Sequence, residues 1–266
     1  MISDYHVHTS FSMDSDASLD DVVLTSIKKG IKYLCITDHH EIDGKFKDYQ
    51  INTSEYYHVL SEYQEKFKPE ISILIGVEMG LQPHVKNEVN EVLSSIPFDF
   101  VIGSTHLIRG YDPITDDIQS IYPDEDVMDL YFRELYKNIK VHQNYDVCGH
   151  IDYPVRYFKD LDKNYSYEKY KYRIDKILKR IINDGKGIEI NTSGLRKGLR
   201  STNPCFEIIK RYCELGGEII TVGSDAHTPN DIGSYFSKAK EILIDAGFDH
   251  YNIYVKRKPI SIPISK

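Results

Sequence analysis

Seven short apolar runs recur along this chain, and each ends in, or is followed within two residues by, a histidine, a carboxylate or an amide. The runs are Asp4–His8, Tyr33–Thr37, Ser72–Val77, Phe100–Ser104, Asp146–His150, Gly187–Asn191 and Ile219–Gly223. Between them lie stretches with apolar residues at helical spacing: Leu19–Lys29, Ser54–Phe67, Val85–Ser94, Asp126–Gln143, Tyr167–Asn183, Pro204–Leu215 and Ile232–Ala246. Ser18 reads as the N-cap of the first and Gly30 as its stop, while Gly185, Gly216-Gly217 and Gly247 follow three others. Strand and helix alternating in this way require parallel strands joined by crossover helices. Seven or eight such units predict an α/β fold, a (β/α) barrel, distorted or incomplete, whose working face lies at the C-terminal ends of the strands. A doubly wound open sheet has the same periodicity and is the alternative. Tyr251–Val255 reads as a last strand, and the tail with Pro259 and Pro263 as extended chain.

One such barrel accounts for all 266 residues, so a single domain over 1–266 is expected. The net charge of −8 argues against nucleic acid or an anionic membrane as partner, since both are met by a basic stripe. It does not exclude a small phosphorylated substrate, because divalent ions outweigh nearby carboxylates locally. Cys35, Cys148, Cys205 and Cys213 form no Cys-x-x-Cys pair and read as reduced thiols. With no leader and no long apolar run in the sequence, a cytoplasmic protein is expected.

The polar residues at the strand ends carry the chemistry. His6 and His8, two apart on a strand, share one face. Asp38, His39 and His40 follow the second run, Glu78 the third and His106 the fourth. His150 and Asn191 end the fifth and sixth, and Asp225 and His227 follow the seventh. In a parallel barrel these all reach one rim. Imidazoles and carboxylates without thiolates suit Zn, Mn or Fe(II). There are too many ligands for one ion, and a carboxylate such as Glu78 can bridge a pair. His58, His84, His142 and His250 fall elsewhere and are assigned to solvent or packing.

These residues in this order resemble the polymerase-and-histidinol-phosphatase (PHP) family of metal-dependent phosphoesterases. The matching pieces are His6-x-His8, Asp14, Thr37-Asp38-His39, Gly76-Val77-Glu78, Ser104-x-His106, Gly149-His150 and Ser224-Asp225-Ala226-His227. The resemblance implies a distorted (β/α)7 TIM-like barrel with up to three metals at the C-terminal ends of the strands. One would take His6, His8, Glu78 and Asp225, a second Glu78, His106 and His150, and a third Asp14, His39 and His227. Family members often carry histidine where this chain has Asp14. Within the family the chain is most similar to the stand-alone histidinol-phosphate phosphatases, through Gly103–Gly110, Asp146–Tyr157 and Asn191–Gly198.

The implied reaction is hydrolysis of L-histidinol phosphate to L-histidinol and phosphate, a step of histidine biosynthesis, by a metal-bridging hydroxide with two or three divalent ions (Zn, Mn or Fe). Arg156 and Arg196 follow the fifth and sixth strands and are expected to clamp the phosphate, with Lys45 and Lys197 as weaker candidates. His40 is the candidate general acid. The irregular stretch 106–125 carries Asp112, Asp116, Asp117, Asp124 and Glu125, and its length suits a lid that meets the cationic substrate with Asp112. The alternatives are a phosphoesterase of the same family acting on nucleotides, nucleic-acid ends or phosphotyrosine, and a non-catalytic metal-binding regulatory module.

Overall fold

The computed structural model describes residues 1–42, 49–122, 126–157 and 165–264. Its strands are β1 (Ser3–Val7), β2 (Tyr33–Ile36), β3 (His39–His40), β4 (Ser72–Gly80), β5 (Phe100–Ser104), β6 (Val147–Cys148), β7 (Gly187–Asn191) and β8 (Ile220–Gly223), followed by β9 (His250–Val255) and β10 (Lys258–Pro263). The first eight form one sheet in the order β1-β2-β4-β5-β6-β7-β8, with β3 resuming the line of β2 against β4. Every pairing in it is parallel. The sheet then meets itself: Asp225 N donates to His6 O at 2.8 Å, His8 N donates to Ala226 O at 2.9 Å, and Val7 bridges Ala226 in parallel. The result is a nearly closed seven-position barrel, so the open-sheet alternative is set aside.

Helices cross over between the strands at Leu19–Lys28, Thr53–Phe67, Lys86–Ser95, Val127–Val141, Tyr167–Asn183, Phe206–Glu214 and Phe236–Ala246. Ser18, Asn52, Asp126 and Ser166 each accept a first-turn amide, which fixes where four of them begin. The last helix starts at Phe236 rather than Ile232, because Gly233 (φ 66°) and Tyr235 (φ 59°) are left-handed. Among the described residues no helix is long and apolar enough to cross a membrane.

Two strand details matter for the site. β4 runs on through Glu78 to Gly80, so Glu78 lies within the strand rather than after it. In β1, pairing with β2 slips by one residue between Asp4 and Val7. Such a bulge re-aims side chains. Neighbouring residues thereby reach different partners: Tyr5 packs edge-on against Phe100, and His6 faces Glu78.

The tail is not simply extended. β10 pairs antiparallel with β9, and Lys256 and Arg257 turn between them at φ 51° and 62°. Positive φ is costly for such residues, and the turn is pinned in compensation. Asp99 Oδ1 accepts from Lys256 N at 2.9 Å, Asp99 O accepts from Arg257 N at 2.8 Å, and Arg257 Nε donates to Asp146 Oδ2 at 2.6 Å. Asp99 and Asp146 directly precede β5 and β6, and their carboxylates also take the amides of Ile75 and Val101. The hairpin thus sits at the N-terminal end of the barrel, away from the rim. Ile264 N donates inward to Asp249 O, so by strand alternation the backbones of Pro259, Ser261 and Pro263 face outward.

Asp99→Ala removes one acceptor from two amides. We expect a loss of about 2–3 kcal/mol, read as a lower urea midpoint with unchanged slope in metal-free protein.

Candidate metal centre

The site is built on Glu78, a carboxylate 1% exposed inside the barrel. Its two oxygens face different imidazoles. Oε1 lies 2.7 Å from His150 Nε2 and 3.2 Å from His106 Nε2, and accepts from Ser104 Oγ at 2.7 Å. Oε2 lies 3.0 Å from His39 Nδ1, 3.1 Å from His6 Nε2 and 3.5 Å from His8 Nε2. Asp225 Oδ1 completes the second side, 3.5 Å from His8 Nε2 and 3.8 Å from His6 Nε2. Asp14 Oδ2 stands further out, 3.2 Å from His227 Nε2 and 3.5 Å from His39 Nε2.

Ligand atoms fall within 4.8 Å of one another in the sets His6–His8–Asp225, Glu78–His106–His150, His8–His39–His227 and His39–Glu41–His106. His6 Nε2, His8 Nε2, His39 Nδ1 and Glu78 Oε2 are all buried without a hydrogen bond, although buried polar atoms are almost always paired. Four such atoms converging, all nitrogen and oxygen donors, fit a divalent cation.

Electrostatics bind the cluster together. Burial alone would raise the carboxyl of Glu78, but the imidazoles of His6, His39 and His106 outweigh it and hold Glu78 well below its ordinary value. Burial would likewise depress His6, yet Glu189, Glu78 and Asp225 keep it well above. Burial lowers His106 too, and Glu41 and Glu78 overcome that to raise it to about 10. His8 goes the other way, pushed well down by burial and by the neighbouring His227 and His39. Its ring stacks on His227 at 4.1 Å.

All nine residues expected as metal ligands therefore gather at one rim. Arg156 and Arg196 line the same cavity of about 450 Å³, with Tyr153, Tyr157 and Lys197. Arg156 donates through Nη1 to Asp225 Oδ2 at 2.7 Å and through Nε to Asn203 Oδ1 at 2.8 Å, leaving Nη2 buried without a hydrogen bond. Arg196 donates to the carbonyls of Ser224 and Asp225, both at 2.8 Å. Asp112 lines an adjoining pocket with Glu41, Tyr49 and Tyr153, while its carboxylate accepts from Ile114 N and Thr115 Oγ1. Asn191 reaches Asp225 through Nδ2 at 3.1 Å. Asp38 takes Thr9 and Ser12 rather than the centre.

His40 does not suit the role of acid. It is 4% exposed, lines neither pocket, and burial pushes it down to about 4, so at neutral pH it is a neutral imidazole rather than an imidazolium acid. It follows His39 in β3, and strand alternation turns it from the face that His39 occupies. Lys45, Asp124 and Glu125 lie outside the described residues.

Two carboxylates behind the centre escaped the sequence reading. Glu189, mid-strand in β7, accepts from His6 Nδ1 at 2.6 Å and from His150 N at 3.1 Å. Glu41 meets His106 Nδ1 at 2.5 Å. For Glu189 the signal was a lone charge in the apolar run Gly187–Asn191; for Glu41 there was none beyond its place after His39-His40.

A PHP domain model matches residues 4–193. A probable histidinol-phosphatase of Clostridium acetobutylicum is 32% identical, over 90% of this chain and 91% of that protein. A histidinol-phosphatase of Lactococcus lactis is 32% identical, over 92% and 91%. The crystal structure of histidinol phosphate phosphatase from Lactococcus lactis, complexed with zinc, L-histidinol and phosphate, superposes with a TM-score of 0.88 at 28% identity, over 97% of this chain and 98% of that one.

With His106 raised to about 10, the metal-free ring is protonated at neutral pH, and an ion taking Nε2 expels that proton. Apparent zinc affinity should therefore rise with pH through the neutral range, about tenfold per unit for each proton displaced. Calorimetry of zinc binding in buffers of different ionisation enthalpy measures the release directly; binding without net proton release is the contrary result.

Proposed function

The chain belongs to the PHP domain family, and from that membership and the geometry of its rim we propose that it is a phosphomonoesterase hydrolysing histidinol phosphate to histidinol and phosphate in histidine biosynthesis. The observation that carries this reading is the division of Glu78, with His106 and His150 on one oxygen and His6, His8 and His39 on the other. Such a division suits a carboxylate that two ions would share. The likeness over the whole chain to a phosphatase holding zinc, L-histidinol and phosphate supports the substrate. The catalytic unit is the one barrel, residues 1–266.

Two or three divalent ions of zinc, manganese or iron would occupy the rim. His6, His8, Glu78 and Asp225 would hold the first, Glu78, His106 and His150 the second, and Asp14, His39 and His227 the third. When bound, such ions supply Lewis acidity at phosphorus and a reactive water at neutral pH. The chain's own contribution is binding and orientation. Arg156 offers its free Nη2 to a phosphoryl oxygen while its other nitrogens are fixed on Asp225 and Asn203. Arg196, fixed on two carbonyls, adds positive charge to the same wall. The pocket of Glu41, Tyr49 and Asp112 beside it is acidic and suits the amine and imidazole of the substrate. The net charge of −8 and the free cysteines accord with a cytoplasmic enzyme acting on a small molecule rather than on nucleic acid or membrane. An intact ligand set speaks against a purely regulatory module.

A substrate panel with divalent metal tests the proposal: histidinol phosphate, nucleotides, a phosphotyrosine peptide and single-stranded DNA. Histidinol phosphate should have the highest kcat/KM, and faster turnover of another member overturns the assignment. Glu78→Ala and Asp225→Ala should fall to background. Arg156→Ala should lose roughly 10²–10³ in kcat, as expected for a donor to developing charge. Asp112→Asn should raise KM for histidinol phosphate, while His40→Asn should leave the pH–rate profile in place.

A further inference from the structure

Two buried carboxylates at the rim touch the far side of a metal-facing imidazole. Glu189 is 1% exposed and Glu41 5%. Each sits in a slot kept open by glycine. A Cβ on Gly223 of β8 would lie 2.6 Å from Glu189 Oε1 and 2.3 Å from His6 Cβ, and one on Gly149 would lie 3.7 Å from Glu189 Oε2. A Cβ on Gly80 of β4 would lie 1.7 Å from Glu41 Oε2. Glycine weakens a strand, and within one it commonly marks a close approach. Here the approaching group is a carboxylate.

An ionised carboxylate only accepts hydrogen bonds. Glu189 on His6 Nδ1 therefore requires the proton there, and leaves Nε2 as the lone pair facing Glu78 and Asp225. Glu41 on His106 Nδ1 does the same for Nε2 facing Glu78 Oε1. The remote nitrogens of His8 and His227 meet neutral oxygens instead, Ser12 Oγ at 3.0 Å and the Asp225 carbonyl at 3.1 Å. The two carboxylate-backed rings are divided evenly, with His6 in the set with His8 and Asp225 and His106 in the set with Glu78 and His150.

We infer that Glu189 and Glu41 are positioning residues, each holding one imidazole of one ion site in the Nδ1–H tautomer, so that Nε2 is set for its metal and made more basic. The inference rests on the reading of the rim as a divalent metal centre. Carboxylates behind ligating histidines are worth 10- to 100-fold in metal affinity, on the order expected here.

The test uses Glu189→Gln and Glu41→Gln in the full chain. Zinc content is followed by mass spectrometry after dialysis against graded chelator, with thermal unfolding of the metal-free forms as the check on folding. Each variant should lose one equivalent of zinc at about 10- to 100-fold lower chelator than wild type, and the double variant two. Glu189→Asp and Glu41→Asp, which keep the charge at shorter reach, should fall between. Ring ¹⁵N spectra of zinc-loaded wild type should show His6 and His106 protonated at Nδ1. Equal zinc retention in the folded variants overturns the inference, and so does Nε2–H on either ring in wild type, a result that depends on no variant folding. Wild type that takes up no divalent ion overturns the metal reading itself, and this inference with it.

Discussion

A single carboxylate, Glu78, is kept ionised inside the barrel, and the upper half of the structure is arranged to allow it. An ionised carboxylate is expensive to bury unless countercharge and hydrogen bonds surround it. Here five imidazoles and the Ser104 hydroxyl do so. They come from β1, β3 and the ends of β5 and β6, so the cluster exists only when those elements are in register. Asp225 joins only because β8 closes onto β1 through His6, His8 and Ala226. Closure of the barrel and assembly of the centre are therefore the same event.

The two ends of the barrel solve opposite problems. At the rim, buried polar atoms are left without hydrogen bonds, which makes the site a strong acceptor for cations. At the other end Asp99 and Asp146 are both consumed: each takes a strand amide and a group from the Lys256-Arg257 turn. The β1 bulge lets neighbouring residues serve both regions, Tyr5 in the aromatic packing with Phe100 and His6 at the centre. A regular strand would have sent one of the two outside.

Much of the fold was legible in the sequence because parallel strands buried on both faces read as apolar runs, and seven of them alternate with amphipathic helices. The ligands were legible because polar residues at the ends of such runs have few other reasons to be there. What escaped had physical causes. Glu189 and Glu41 serve other side chains, and no periodicity encodes a partner far along the chain. His40 was misplaced by its nearness to His39, although adjacent residues of a strand face opposite ways. β10 was hidden by two prolines, which ordinarily argue against a strand; both fall where their missing amides are not needed.

Those prolines have a further consequence. β10 is the exposed outer strand of its hairpin, and outer strands invite another chain to add alongside. Of the three residues whose backbones face outward there, only Ser261 has an amide to offer. A would-be neighbour finds one donor across the whole strand, too few to start a ladder. The hairpin thus presents an edge poor in donors, which guards against runaway strand addition at the end of the barrel remote from the metal centre.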